Sequence, residues 1–249
     1  MSGHSKWSTI KRKKGAEDAK RGKIFTKLGR DIMMAARDGG DENANPRLKL
    51  AVQKAKGANM PKENIERAIL RGTGKLDGVE VDEGTYEAYG PEGVAYIVEF
   101  MTDNKNRTLA EIKRVLNKLG GTLATAGSVA WQFEQKGFIT LAGEGHDFDE
   151  VFMVAAEAGA DDVVDEDGVV TVYTPREMFG AVEQALTEAG YEIDESELRW
   201  EAKNETSVPT DKALQNMRLM SELEDLDDVQ SVASNLAMTD EVIAAFETA

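Results

Sequence analysis

The apolar residues of this chain change their period once, near residue 75, and that change limits the fold more than any other feature. Up to that point they recur at helical spacing. Ile24, Leu28, Ile32 and Ala35/Ala36, with Phe25 and Met33 beside them, predict a helix from Glu17 to Asp38 that Gly39-Gly40 stops. Asn45-Pro46 then offers an N-cap followed by Pro at the first helical position, and Leu48, Ala51, Val52 and Ala55 form the stripe of a second helix. Pro61 starts a third, with Glu63 in its first turn and Ile65, Ala68 and Ile69 inward, ending near Gly72-Thr73-Gly74. Three short helices predict a small bundle.

Alternation takes over from Gly84. GTYEAYGPEGVAYIVEFMTDN reads as two strands joined at Gly90-Pro91-Glu92-Gly93, and Asn106 precedes a helix whose Leu109, Ile112, Val115, Leu116 and Leu119 face one way until Gly120-Gly121. Val129, Trp131 and Phe133 alternate with Ala130 and Gln132 as a further strand, and Lys136-Gly137 reads as a turn into Phe138-Ile139-Thr140-Leu141. From about 145 to 203 a second α+β unit is expected. It has a helix around Phe148 to Ala158, a hairpin through Asp165-Glu166-Asp167-Gly168, a helix started by Pro175, and a strand from Tyr191 to Trp200. A helix from about Thr210 through Leu223 leads to a strand at Val229 to Val232, and with no sheet of their own these are expected to complete the earlier sheet.

The fold class is therefore α+β and multidomain, since 249 residues exceed the usual size of one core. The expected division is a flexible basic arm at 1–16, a helical basic domain at 17–76, an α+β domain from 77–134 with 205–249, and a second α+β domain, 135–204, inserted into it. The arm has only Trp7 and Ile10 among Lys, Ser, Thr and Gly, too little to bury, so it is expected to order on a partner.

Charge is divided along the same axis. The formal net charge is −16, yet residues 1–75 hold 19 Lys/Arg against 8 Asp/Glu, a net of +11, which leaves −27 for residues 76–249. A polyanion is drawn to the first third and repelled by the rest, so nucleic acid is the expected partner and it binds end-on. The candidate contacts are His4, Lys6, Trp7, Lys11, Arg12, Lys13, Lys14, Lys20, Arg21 and Lys23 at the start, with Arg47, Lys49, Lys54 and Lys56 on the second helix. There Lys49/Lys56 lie on one flank of the apolar stripe and Arg47/Lys54 on the other. Trp7 is a candidate to stack on an unpaired base, although an indole more often packs on the body of a protein. The acidic remainder also suits a basic protein partner.

Other function classes find little support. The longest nearly uninterrupted apolar run, Val94 to Met101, contains Glu99 and is far short of a bilayer span, so no membrane partner and a cytoplasmic location are expected. Zero cysteines exclude disulfides and thiolate metal sites. His4 and His146 are the only histidines and form no zinc pair. GTGKLDG lacks the third glycine of a dinucleotide fingerprint, and Gly74-Lys75 is followed by Leu76 rather than Ser or Thr. In DDVVDEDGVVTVYT a calcium loop needs carboxylates where Val163 and Thr174 stand, so a hairpin is the expected structure. Neither a cofactor nor a metal nor catalysis is expected.

Eight strings in order, GHSKW, DAKRGKIFTKL, NPRLKLAVQKAK, ANMPKENIERAI with RGTG, YEAYGPEGVA, TDNKNRT, GSVAWQF and LEDLDDVQ, make the chain resemble the YebC/PmpR family over nearly its full length. It departs from that pattern after DDVQ, where SVASNLAM stands, and at Leu198-Arg199-Trp200-Glu201. The resemblance implies three domains, the last inserted, no catalysis, and one of two roles. One is a DNA-binding transcriptional regulator. The other is a translation factor on the ribosome, acting during synthesis of proline-rich stretches. A DNA regulator usually offers a recognition helix with base-reading side chains and a dimer to match two half-sites. Here the basic residues are Lys-rich and no dimerisation segment is evident, so a monomer that grips ribosomal RNA or tRNA is favoured, with DNA as the alternative.

Overall fold

A computed structural model of the chain describes residues 21–76, 81–143, 145–166 and 168–247. Eight helices and two four-stranded sheets are present among them, which makes the protein α+β. The chain forms two compact units. The first gathers the described residues up to Ala51, then Ala55–Glu134 and the chain from Glu201 onward; the second gathers Gln135–Trp200 with Val52–Lys54.

The first three helices of the chain are α1 (Arg21–Ala35, prolonged by a 3-10 turn over Ala36–Asp38), α2 (Pro46–Gly57) and α3 (Lys62–Gly72). The start expected for α1 at Glu17 lies outside the described residues. Leu28, Ile32, Leu48, Val52, Ala55 and Ile65 are buried, as their spacing predicts. One side chain joins the first two helices. Asn45 Nδ2 donates to the carbonyls of Ala35 at 2.7 Å and Gly39 at 2.8 Å, while its Oδ1 accepts from the Leu48 N–H at 3.0 Å. The same amide ends α1 and caps α2, a contribution of about 1 kcal/mol for the cap alone.

Gly72 fixes how closely α3 can approach α1. A Cβ on it would sit 2.2 Å from the Met33 carbonyl oxygen and 2.7 Å from the Ala36 Cβ. Both obstacles are parts of a helix and cannot swing away. Gly72→Ala is therefore expected to cost about 1–3 kcal/mol by overpacking, read as a lower urea midpoint at unchanged slope. An unchanged midpoint would show that the two helices are not pressed together at this point.

The first sheet has the order β3-β1-β2-β8, built from β1 (Asp82–Tyr89), β2 (Ala95–Thr102), β3 (Thr122–Leu123) and β8 (Val229–Ser234). β1 and β2 pair antiparallel from Asp82↔Thr102 to Tyr89↔Ala95, and β8 pairs antiparallel with β2. The tail strand thus completes the earlier sheet, and SVASNLAM enters the core with Val232, Ala233, Leu236 and Met238 buried. α4 (Lys105–Lys118), α7 (Thr210–Glu224) and α8 (Asp240–Glu247) contribute Ile112, Leu116, Met217, Leu219, Leu223 and Phe246 to the same core. No periodicity argument foresaw α8. The Pro-Glu-Gly turn is a 3-10 turn over Pro91–Gly93, fastened by Asn216, whose Nδ2 donates to the Pro91 carbonyl at 3.1 Å. Tyr96 is fully buried and donates to Asn216 Oδ1 at 2.7 Å.

The cap of α4 is Asn104, not Asn106. Its Oδ1 accepts from the Arg107 N–H at 3.1 Å, and the helix starts at Lys105. The strand expected at Val129–Phe133 is a second correction, because Ala130–Gln132 is a 3-10 turn and β4 begins only at Phe133. Glu87 is the reason. Its carboxylate accepts from the backbone N–H groups of Gly127 at 2.6 Å, Val129 at 2.5 Å and Ala130 at 2.9 Å, which curls the segment and leaves Trp131 69% exposed. Burial pushes the Glu87 carboxyl up, but these three hydrogen bonds outweigh it and hold the group below its ordinary value.

The second sheet has the order β5-β6-β4-β7, with β4 (Phe133–Leu141), β5 (Asp162–Glu166), β6 (Val169–Pro175) and β7 (Ile193–Ala202). Lys136-Gly137 is not a turn. β4 runs straight through it, with Lys136 opposite Pro175 and Gly137 opposite Thr174. Glycine is needed there for close approach, since a Cβ would meet Thr174 Oγ1 at 2.2 Å and the Phe179 ring at 2.4 Å. The β5–β6 hairpin turns at Gly168, whose N–H donates to Asp165 Oδ1 at 3.0 Å; Asp167 lies outside the described residues. α5 (Phe148–Glu157) and α6 (Phe179–Glu188) close the core through Val151, Ala155, Val182 and Leu186. In the Leu-Arg-Trp-Glu segment the Arg199 guanidinium lies 3.5 Å from the centroid of the Phe138 ring and is held by Glu195 at 3.0 Å and by Glu197.

Candidate nucleic-acid interface

Within the first unit, one buried carboxylate brings three distant stretches of sequence together. Asp228, from LEDLDDVQ, has a side chain only 2% exposed. Its Oδ2 accepts from Arg107 Nη2 at 2.8 Å, Thr108 Oγ1 at 2.7 Å and Thr102 Oγ1 at 3.1 Å, all from TDNKNRT. Its Oδ1 accepts from Arg30 Nη2, on α1, at 2.6 Å. Burial pushes the Asp228 carboxyl up, but the hydrogen bonds from Arg107 and Thr108, the charge of Arg30 and the Thr102 hydroxyl outweigh it and hold it below the ordinary carboxylate value. TDNKNRT is therefore a carboxylate clasp.

Three cations of α1 serve the same junction. Lys23 Nζ donates to the Asp225 carbonyl at 2.9 Å, Lys27 Nζ to the Glu224 carbonyl at 2.7 Å, and Arg30 Nη1 to the Asp227 carbonyl. Residues 23, 27 and 30 lie on one face of α1 and meet the C-terminal end of α7, where unsatisfied carbonyls attract positive charge. Lys23, expected at a nucleic acid, has its ammonium engaged at the surface by the chain's own backbone.

The remaining candidate contacts divide. His4, Lys6, Trp7, Lys11, Arg12, Lys13, Lys14 and Lys20 lie outside the described residues, and Arg21 is the first residue of α1. Lys54 Nζ is 2.8 Å from Glu195 Oε1 and 3.6 Å from Glu197 Oε2, and Lys56 Nζ is 3.4 Å from Glu42 Oε2. Arg47 and Lys49, in the first turn of α2, are exposed and have no ion-pair partner among the described residues. A charge track running the length of α2 is thus reduced to its N-terminal half.

A second group of free cations was passed over. Arg67 and Arg71 on α3 and Lys75 just beyond it are exposed and lack ion-pair partners among the described residues. They recur every fourth residue, a signal as readable as the one on α2. Arg67 and Arg71 also border a cleft of about 740 Å³ between α1 and α3. Its wall is apolar where Phe25, Met33, Met60 and Ala68 line it and polar at Thr26, Asn64, Arg30 and Asp103, the last of which is paired with Arg107 at 2.6 Å.

Among the described residues no group of His, Asp and Glu is placed to hold a metal ion. His146 sits edge-on to Tyr191, with Nε2 2.8 Å from the Ala142 carbonyl. No described helix is long and apolar enough to cross a membrane.

A basic three-helix segment thus precedes two antiparallel sheets packed with helices, and sequence comparison identifies the family that has these domains. Residues 5–75 match the TACO1/YebC protein N-terminal domain, and residues 81–236 match the TACO1/YebC second and third domain. The chain belongs to the TACO1/YebC family. It is 54% identical to a probable transcriptional regulatory protein of Syntrophotalea carbinolica, over 98% of both chains. A protein of the same description from Desulforapulum autotrophicum is 51% identical over 98% of this chain and all of its own. The crystal structure of a conserved hypothetical protein from Aquifex aeolicus, 40% identical, superposes with a TM-score of 0.79 over 90% of this chain and 93% of that one.

Proposed function

We propose that the protein is a non-enzymatic nucleic-acid-binding regulator of gene expression that works as a ribosome-associated translation factor, easing elongation at difficult stretches such as proline-rich ones. The observation that carries this reading is the charge division, +11 over residues 1–75 against −27 over the rest, with Arg47, Lys49, Arg67 and Arg71 exposed and without an ion-pair partner among the described residues. Unpaired guanidinium and ammonium groups are what phosphate oxygens displace counterions to reach. RNA is favoured over duplex DNA because the free cations are divided between α2 and α3 rather than gathered on one exposed helix. The residues assigned to the contact are the basic ones up to Arg21, with Arg47 and Lys49 on α2 and Arg67 and Arg71 on α3. On the same reading residues 135–204 form an inserted domain.

The names of the relatives favour the second reading, a DNA-binding transcriptional regulator, and one experiment separates the two. Lysate is fractionated on a sucrose gradient with and without ribonuclease, and the protein is expected to sediment with ribosomes and to shift to the top after digestion. Arg47→Ala and Lys49→Ala are expected to weaken binding about uniformly across sequences, each flattening the log–log salt dependence by about 1. A defined DNA operator bound at physiological salt, with no ribosome association, would establish the DNA reading instead.

A further inference from the structure

We propose that the cleft between α1 and α3 receives a single unstacked nucleotide of an RNA strand, its base against Phe25, Met33 and Met60 and its flanking phosphates on Arg67 and Arg71. The proposal rests on the nucleic-acid reading above and assigns it a pocket. At about 740 Å³ the cleft is of the size of small-ligand sites, and its lining is divided evenly between apolar residues and the polar Thr26, Arg30, Asn64, Arg67, Arg71 and Asp103. Arg67 and Arg71 lie one helical turn apart on the rim, with no carboxylate partner among the described residues. Asn64, also on the wall, has an amide that matches the donor and acceptor pattern of a base edge. Thioether and aromatic surfaces accept a flat ring of any sequence, which suits stacking without strict base preference.

The second observation is Gly29. It lies in the interior of α1, where glycine is the least favoured residue after proline. Packing does not demand it. The nearest atom to a Cβ built there is Met60 Cε at 3.7 Å, an ordinary contact. Gly29 lines the cleft, so any larger side chain would occupy it. The absence of a side chain keeps the cavity open at the cost of helix propensity.

That makes Gly29→Leu a blocking variant that leaves every cation in place. The full-length protein is titrated with a fluorescein-labelled single-stranded oligouridylate and with a fully paired RNA duplex of equal charge. For Gly29→Leu the single-strand affinity is expected to fall about tenfold, the loss of one stacked base, while duplex affinity and salt dependence stay as in the wild type. The thermal midpoint should be unchanged or raised, because Leu is the better helix former. Undiminished single-strand binding by the folded variant overturns the proposal. Should the variant unfold, photocrosslinking of wild-type protein to 5-iodouridine oligonucleotide decides instead: adducts on α1 and α3 peptides support the cleft, and adducts confined elsewhere refute it. Displacement of the oligonucleotide by uridine monophosphate at equal nucleotide concentration would reassign the cleft to a free nucleotide. Failure of wild-type protein to bind either probe sinks the nucleic-acid reading itself, a different outcome from a selective loss.

Discussion

Asp228→Ala is expected to lower the free energy of unfolding by about 3–5 kcal/mol, the range for removing one partner of a buried ion pair. The loss has named parts. Arg30, only 15% exposed, keeps its charge without a counter-ion, and the buried Thr102 and Thr108 hydroxyls lose their acceptor. The Arg107 pair counts for less, since that side chain is 44% exposed and solvent screens it. Urea unfolding of the variant reads the effect directly. Asp228→Asn, which retains the shape and one carbonyl acceptor, is expected to recover part of it. A pH series gives an independent check. Because the folded carboxyl lies below its ordinary value, its contribution is present above the unfolded pKa, about 4, and is lost as pH falls through the folded value. The wild type should therefore lose stability below about pH 4 more steeply than Asp228→Asn. Parallel curves for the two would show that the clasp does not depend on the charge.

Reversing both free guanidinium positions, Arg67→Glu with Arg71→Glu, is expected to reduce RNA affinity by roughly 100-fold at low salt and to leave the thermal midpoint nearly unchanged. Two phosphate contacts disappear and two repulsions replace them, and the slope of log affinity against log salt should become shallower by about 1.5 to 2. Both side chains are exposed and have no ion-pair partner among the described residues, so folding has little to lose. The control is the same charge change at Lys113 and Arg114, exposed residues of α4 in the acidic part of the sequence. A comparable loss there would mean that net charge, not the α3 position, governs binding.

How far the candidate site was legible depends on which property of a residue is asked for. That Lys54, Lys56, Arg47 and Lys49 flank an apolar stripe follows from 3.6-residue periodicity, and the buried Leu48, Val52 and Ala55 agree with it. Which of those cations is free does not follow, because Glu195 and Glu42 reach Lys54 and Lys56 from 141 and 14 residues away. Lys23 was likewise indistinguishable in sequence from a phosphate binder until α7 placed the Asp225 carbonyl beside it. Arg67 and Arg71 were readable from their spacing, but the cleft they border exists only once Met33 of α1 and Met60, between α2 and α3, line the same cavity.

The sequence by itself determined the elements whose signals are local: the helical first third, the Asn45-Pro46 start, the strand pair around the Pro-Glu-Gly turn, and the charge division that makes one end attractive to a polyanion. Periodicity and turn chemistry act within a few residues, so they can be read without a partner. Only the tertiary structure decided the rest. Gly137 looked like a turn and is a strand residue because Thr174 and Phe179 press against it, and the alternation at Val129–Phe133 became a 3-10 turn because Glu87, some forty residues earlier, accepts its N–H groups. TDNKNRT read as a helix cap, and its purpose emerged when Asp228 closed on Thr102, Arg107, Thr108 and Arg30. A buried carboxylate needs several donors to offset its lost hydration, and here the chain draws them from positions as far apart as 30 and 108, a requirement that no local pattern encodes.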